Sequence, residues 1–469
     1  MNKNLPALIP EIVLLAAAVA GLLAGSWLPR RSQWIIAALS AVACAIGIGT
    51  TAGGLGRTQT VFSGTFAVDT ATHVGRLIVL LALLLVCGMS VTRMRRDKRE
   101  AEYYVLLLLT GAGTLAMIGA GDLLMLFAGF LLAGIPAYAL AGFAKDGAGT
   151  EAALKYYLMG ALLGTVMLAG VATLYGAGHT TVYAGLRAEL HTAPHALVAA
   201  GLVAVLAGLL FKAGAVPAHF WVADVADGAT APIAAYVTTL PKIGALIATY
   251  RFLHQTLPSG DEWPLLVAVL AAASMTLGNL AAFFQTSVKR LLAYSTISQV
   301  GYLLMAIAVA TRSDLSQPAL LFYLAAYAVT KLGAFAVVTE LSDARVINDY
   351  RGLARHRPGL AAVLIVCLLG LVGTPPTGVF LGKLEVFSAA IDGGYAWLAV
   401  LAVANTVVSL FYYLRWLTPL FRPAPVAAFP RASRCSWPTG VAYVAGALSL
   451  ALGIAGGTVL PFLQGNLAL

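Results

Sequence analysis

FKAGAVPAHFWVADVADGATAPIAAYVTTLPK, residues 211–242, sets two lysines and a histidine inside or beside otherwise apolar helices. A charged side chain at bilayer depth costs about 3 kcal/mol even on insertion scales, so an ionisable group placed there reads first as functional. Lys212 ends an apolar run that begins at Ala196, and Pro217 follows five residues later. Proline donates no backbone hydrogen bond and its ring presses on the carbonyl four residues back, so the helix is expected to break within a turn of the lysine. Snorkelling to an interface is the bland reading of Lys212, but AGAVPAHFW after it stays mostly apolar and favours a buried functional lysine. For His219, interfacial packing and proton relay are both open. Pro241 stands directly before Lys242, which repeats the pairing of an ionisable group with a backbone break in the next helix. Carbonyls freed by such prolines can hold water, which a proton path needs.

The rest of the chain supplies the setting for these lysines. Of 469 residues, 60% are hydrophobic and 10% charged, with mean hydropathy +0.88; a soluble domain carries about 25% charged residues. The chain reads as an all-α polytopic membrane protein. Its formal charge of +10 does not point to nucleic acid, because the basic residues sit in short segments between apolar runs and act as topology signals. About fourteen apolar segments of crossing length are found, near 7–25, 33–50, 75–92, 103–120, 122–143, 152–176, 196–220, 230–253, 263–284, 289–310, 317–340, 359–388, 394–420 and 438–462. Odd-numbered connections hold Arg30 and Arg31, RMRRDKR at 93–99, Lys145, Lys289 with Arg290, the arginines of 345–357, and Arg422, Arg431 and Arg434. Even-numbered ones hold little beyond Arg57, Arg187 and Arg312. Basic connections stay inside, which predicts both termini on the periplasmic side and a retained first helix rather than a cleaved signal peptide. Cys44, Cys87, Cys367 and Cys435 have no metal-ligand spacing, and neither a disulfide nor a metal site is expected. A small outer hairpin is predicted between Gly53 and Asp69.

Other polar residues are weighed singly. Glu11, at the start of the first helix, reads as solvated or capping, and Asp122 as the N-cap of the fifth. Glu151 and Lys155 are four apart and can pair at the membrane surface. Ser295, Ser298, Gln299 and Tyr302 share one face of the tenth helix, where interhelical bonding and a hydrated lining fit equally. Lys331 lies mid-way along the apolar eleventh helix. In the twelfth, Pro375, Pro376 and Gly378 precede Lys383, so it too should be discontinuous; Glu385 points to a different face, and Arg415 in the thirteenth reads as snorkelling. Two broken segments at corresponding places in two halves, helices four to eight and nine to thirteen, are the sequence sign of an inverted-repeat transporter.

FKAGAVPAHFW, DGATAP, TLPKIGAL, KRLLAYSTISQVGY, YAVTKLGAFAVV, TPPTGVFLGK and VVSLFYYLRW together resemble the antiporter-like membrane subunits of respiratory complex I over nearly the whole chain. The PEIVLL opening, EAALKYYLMGA and the helix count look most like the branch that is the counterpart of mitochondrial subunit two. The resemblance implies a three-helix segment over 1–100, five-helix units over 101–258 and 259–422 related by inversion, with helices seven and twelve broken, and a final helix over 423–469. It makes Lys212 the central lysine of the first unit, Lys242 the connecting lysine and Lys383 the terminal one. It implies proton translocation driven by redox chemistry elsewhere, with FMN, iron–sulfur clusters and quinone in partner subunits; this chain carries no cysteine-rich cluster motif or dinucleotide fingerprint. Its partners would be other membrane-arm subunits, further antiporter-like chains among them, in a bacterial inner membrane. Three departures stand out. Leu131 occupies the place of a glutamate found in the family's fifth helix, as in LELMSLP. Lys331 stands where the family more often has asparagine, and Gln299 where histidine is common. A related hydrogenase, ferredoxin-linked or cation/proton antiporter complex is the second reading, and a non-pumping structural spacer of the membrane arm, which Leu131 favours, is the third.

Overall fold

The computed structural model describes residues 5–257, 263–423, 436–465 and 467–468; Arg431, Arg434, Cys435 and the expected unit boundaries near 258 and 423 fall outside or at the edge of that range. Two exposed helices open the chain, α1 (Ile9–Trp27) and α2 (Trp34–Ala52). The expected hairpin follows, β1 (Gln59–Val61) against β2 (Phe66–Val68), antiparallel. Then come α3 (Thr70–Met94), α4 (Glu100–Gly119), α5 (Leu123–Ala141) and α6 (Gly147–Gly178), and a seven-residue surface helix α7 (Tyr183–Glu189), too short to show a period in the sequence. The seventh crossing is split into α8 (His195–Ala213) and α9 (Trp221–Gly228). Next are α10 (Ala231–Thr256), α11 (Trp263–Phe283), α12 (Val288–Ala308), α13 (Ser316–Glu340) and a one-turn α14 (Leu353–His356). The twelfth crossing is split into α15 (Pro358–Val372) and α16 (Gly378–Asp392), before α17 (Ala396–Leu420), α18 (Trp437–Ile454) and the short α19 (Gly456–Val459).

Thirteen of the described helices are long and apolar enough to cross a membrane, and the fourteenth crossing is the split pair α15 and α16, whose first half alone is a shorter apolar helix. The two splits share one backbone design. Gly214 closes α8 with φ +73°; its N–H bonds the Phe211 carbonyl, and Ala215 N–H that of Leu210. Gly373 closes α15 with φ +94°; its N–H bonds Gly370, and Thr374 N–H bonds Leu369. A left-handed residue at this place suits glycine, which has no β-carbon to clash. The prolines that follow, Pro217 and Pros 375 and 376, offer no N–H to extend either helix. In contrast, α10 runs unbroken through Pro241, which corrects the expected break beside Lys242. Packed on all sides, the helix tolerates one lost bond, and the Tyr327 hydroxyl donates to the neighbouring Thr238 carbonyl at 2.7 Å.

Burial sorts the helices by role. The apolar windows of α10, α12 and α13 are 94% buried, whereas those of α1, α2 and α18 are 33% buried and keep broad apolar faces outward. The buried helices are the ones that carry Lys242, Arg251, Gln299 and Lys331, polar groups that a lipid-facing helix would leave in hydrocarbon. The odd-numbered connections converge on one end, where Arg93, Asp146, Asp227, Lys289, Glu340 and Ser436 line a cavity of about 920 Å³. At the other end, Arg312, Asp314, His254 and Asp392 border a cavity of about 550 Å³.

Two buried ion pairs anchor α3. The expectation that Glu11 is solvated or capping is corrected: both its oxygens accept from Arg76 at 2.8 Å, within the protein. Arg76 lies one turn and a half into α3, so the first helix is drawn against the third, and a carboxylate that would otherwise seek water is satisfied internally. Asp69, the N-cap of α3, takes both arms of Arg251 from α10 at 2.7 Å, with neither side chain exposed. It also accepts from Thr72 N–H and from Ala468 N–H near the chain's end. Burial pushes the Asp69 carboxyl up, but Arg251 and these N–H groups outweigh it and hold it at about 2. Asp122 caps α5 as expected, accepting from Leu124 and Met125 N–H at 2.7 and 3.1 Å.

Candidate functional site: a line of buried lysines

Lys212 sits in the last turn of α8, where free carbonyl ends favour a cation. It is wholly buried, and among the described residues its Nζ has no hydrogen-bond partner. The Phe130 ring lies 4.5 Å from Nζ, and the rings of Tyr138 and Phe211 lie at 6.0 Å. Lys242, on α10, is equally buried and unpartnered, with Nζ 4.5 Å from the Trp221 ring. Its amine points at the gap in the seventh crossing: a β-carbon on Gly214 would stand 3.3 Å from Nζ. The split therefore lets α10 present Lys242 to the end of the helix that carries Lys212. Trp221 seals the same end by donating its indole N–H to the Phe211 carbonyl at 3.2 Å.

In the second half the lysines find oxygen. Lys331, on α13, donates to the Leu292 carbonyl at 2.5 Å and to Ser295 Oγ at 3.0 Å, and Ser295 in turn bonds Tyr413 at 2.5 Å. Lys383, on α16, reaches back across the gap to the Val372 carbonyl at 2.8 Å and to Thr406 Oγ1 at 3.2 Å, with Nζ 4.1 Å from the Tyr302 ring. Gln299 donates to Leu371 at 2.8 Å and accepts from the Tyr323 hydroxyl. Thus the carbonyls left free where α15 ends are taken up by Lys383 and Gln299, as burial of a helix end demands. Ser295, Ser298, Gln299 and Tyr302 all face the interior, and Tyr302 accepts from Thr406 at 3.2 Å.

His219 lies outside this line, in the link between α8 and α9, half-buried with its ring 4.4 Å from that of Phe220. Arg415 reaches the carbonyls of Phe283 and Gln285 where α11 ends, so its head stays at the surface. The described ion pairs involve Arg76, Arg99, Lys155, Arg251, Arg290 and Arg357, and none involves the four buried lysines. Leu131 is 38% exposed, while Gly134, one turn on, borders the amine: a β-carbon there would lie 2.8 Å from Lys212 Nζ.

The lysines were visible in the sequence, but not the charges that brace α9 against its neighbours. Lys155 pairs with Glu151, as expected, and also with Asp224 of α9, each at 2.7 Å. Asp224 holds Arg290 of α12 at 2.7 Å, and Lys289 donates to the carbonyls of Asp227 and Ala229 at the end of α9. The second half of the broken helix is thereby tied to α6 and to α12. Only the spacing of Glu151 and Lys155 was visible; Asp224 and Arg290 are 66 residues apart.

The profile of the family described as NADH:quinone oxidoreductase/Mrp antiporter, TM, matches residues 120–409, the part that holds all four lysines. NADH-quinone oxidoreductase subunit N 1 of Streptomyces griseus is 55% identical over 98% of both chains, and subunit N of Mycobacterium sp. (strain JLS) is 52% identical over 96% of both. A chain in the structure of respiratory complex I from Thermus thermophilus with bound aureothin superposes with TM-score 0.85 at 33% identity, over 97% of this chain and 100% of that one. A chain of the Mrp complex from Dietzia shares the fold, with TM-score 0.84 at 22% identity over 98% of this chain and 96% of that one. The chain therefore belongs to the NADH:quinone oxidoreductase/Mrp antiporter membrane family and, within it, groups with the subunit N relatives of complex I.

Proposed function

We propose that this chain is a proton-translocating membrane-arm subunit of a complex I-type NADH:quinone oxidoreductase, and that Lys212, Lys242, Lys331 and Lys383 carry the proton, with His219 at the link of the seventh crossing. The observation that carries the reading is the line itself: four buried amines, two of them, Lys242 and Lys383, facing the gaps of two broken helices, in a chain akin to NADH-quinone oxidoreductase subunits. Ammonium groups are kept at such depth only where they work. Moving one charge against a membrane potential takes about 2.3 kcal/mol per 100 mV. The chain has no nucleotide or cluster motif to supply that, so FMN, iron–sulfur clusters and quinone belong to partner subunits, and the other membrane-arm subunits are its neighbours.

The shared backbone design at Gly214 and Gly373 supports two related units, 101–258 and 259–422, inverted with respect to each other, between a segment over 1–100 and a last helix over 423–469. Gathering of the basic odd-numbered connections at one end supports placing that end inside the bacterial membrane and both termini on the periplasmic side.

The test is Lys212→Ala in the intact complex, with protons translocated per NADH oxidised measured in proteoliposomes. A lower ratio is expected. An unchanged ratio refutes the role of Lys212 and turns the chain into a spacer of the arm.

A further inference from the structure

The four amines share a neighbour that is not a carboxylate. Phe130 lies 4.5 Å from Lys212 Nζ, Trp221 4.5 Å from Lys242 Nζ, Tyr302 4.1 Å from Lys383 Nζ, and Tyr327 6.0 Å from Lys331 Nζ. The face of an aromatic ring is the negative side of its quadrupole, and its pull on a cation grows once both have left water. In the second half this pull adds to oxygen acceptors. In the first half, among the described residues, Lys212 and Lys242 have no other attractive polar contact at hydrogen-bond distance. The aromatic face is then the nearest group that attracts the charge of either amine.

The local sequence is arranged for this. Phe130 is fully buried, whereas Leu131 turns 38% of its surface outward, so the ring and not its neighbour is what α5 shows to Lys212. Gly134, one turn beyond Phe130, leaves a space bordered by both Lys212 Nζ and the Tyr138 hydroxyl: a β-carbon would stand 2.8 and 2.9 Å from them. Gly160 on α6 makes room for the same hydroxyl, which a β-carbon there would overlap. From Tyr138 the rings continue: its centroid is 4.7 Å from that of Tyr156, and Tyr156 stacks on Trp221 at 4.2 Å. Trp221 is the ring that Lys242 faces. A column of aromatic side chains thus joins the two unpaired amines.

Resting on the pump reading above, we propose that aromatic faces serve as the counter-charge of the first two lysines, Phe130 for Lys212 and Trp221 for Lys242, in place of a carboxylate, and that Phe130 and Trp221 are positioning residues for the charged amine. The Tyr138 hydroxyl borders the same space beside Gly134 as Lys212 Nζ. A ring attracts the ammonium without itself taking or giving a proton, so it holds the charge without competing for it. A carboxylate at the same place would do both.

Fluorination of Phe130 tests this at nearly constant shape. Phenylalanine, 4-fluorophenylalanine and 3,4,5-trifluorophenylalanine are placed at position 130 of the chain in the assembled complex, and protons per NADH are measured beside Lys212→Ala. Each added fluorine drains the ring face. The expected result is a stepwise fall, with three fluorines removing at least half of the part of the ratio that Lys212→Ala removes. If Lys212→Ala lowers the ratio and the trifluoro ring does not, Phe130 only fills space and the proposal is wrong while the pump reading stands. If neither lowers it, both fall. Fluorinated tryptophan at position 221 should act in the same direction, and Tyr138→Phe, which keeps the ring and removes the hydroxyl, separates the two contributions.

Discussion

Removing the charge of Asp69 should loosen the whole third helix. Arg251 donates two hydrogen bonds of 2.7 Å to Asp69 with no solvent exposure, and further donates to the Thr72 hydroxyl at 2.9 Å and the Ile118 carbonyl at 3.2 Å. Asp69→Asn keeps the shape and an acceptor oxygen for Thr72 or Ala468 but leaves a guanidinium buried without its counter-charge. Breaking a buried pair from one side costs about 3–5 kcal/mol, and at about 1.4 kcal/mol per decade this raises the opening equilibrium about 10² to 4 × 10³-fold. Cys87 reports it: the thiol lies on α3 and is 4% exposed. With Cys44, Cys367 and Cys435 replaced by alanine, the rate of maleimide labelling of Cys87 in detergent should rise by that factor wherever opening is fast and limiting in population. Asp69→Asn with Arg251→Met removes both charges, and the rate should fall back at least tenfold from the single variant. Labelling of the single variant within threefold of the parent would refute the account, as would a double variant labelled as fast as the single one.

Acid should act on the same pair. The carboxyl held at about 2, against an ordinary 3.8, contributes stability that is present above about pH 4 and lost as pH falls from 4 towards 2; an acid titration of tryptophan fluorescence should show this step in the parent and lose it in Asp69→Asn. Gly373→Ala should cost about 1–2 kcal/mol for a left-handed residue with a β-carbon, and its β-carbon would also meet Lys383 Cδ at 2.9 Å. Gly394, also left-handed but facing open space, is the control: Gly394→Ala should destabilise without lowering protons per NADH, and Gly373→Ala should do both. Arg96→Cys should react with an impermeant thiol reagent only from the cytoplasmic face of the membrane, and reaction from the other face would refute the proposed orientation.

The candidate line was legible one residue at a time, because a lysine inside a run of apolar residues is visible without any contact information. Lys212, Lys242, Lys331 and Lys383 all prove buried, and the breaks near Lys212 and Lys383 follow from glycine and proline chemistry that acts over a few residues. Pro241 shows the limit of that local rule: the same residue type leaves α10 unbroken, since neighbours on every side hold the helix.

Composition, hydropathy period and the spacing of basic connections determined the class of protein, the number of crossings and the two discontinuities, all of them consequences of what a bilayer tolerates along one stretch of backbone. What each lysine faces was decided by tertiary structure alone. Glu11 meets Arg76 across 65 residues and Asp69 meets Arg251 across 182, and the ring beside Lys212 is that of Phe130, although Leu131 stands at the place where a glutamate was looked for. Which of two adjacent residues on α5 turns towards α8 depends on the rotation of one helix against another. Packing among several helices sets that rotation, and no single segment of sequence encodes it.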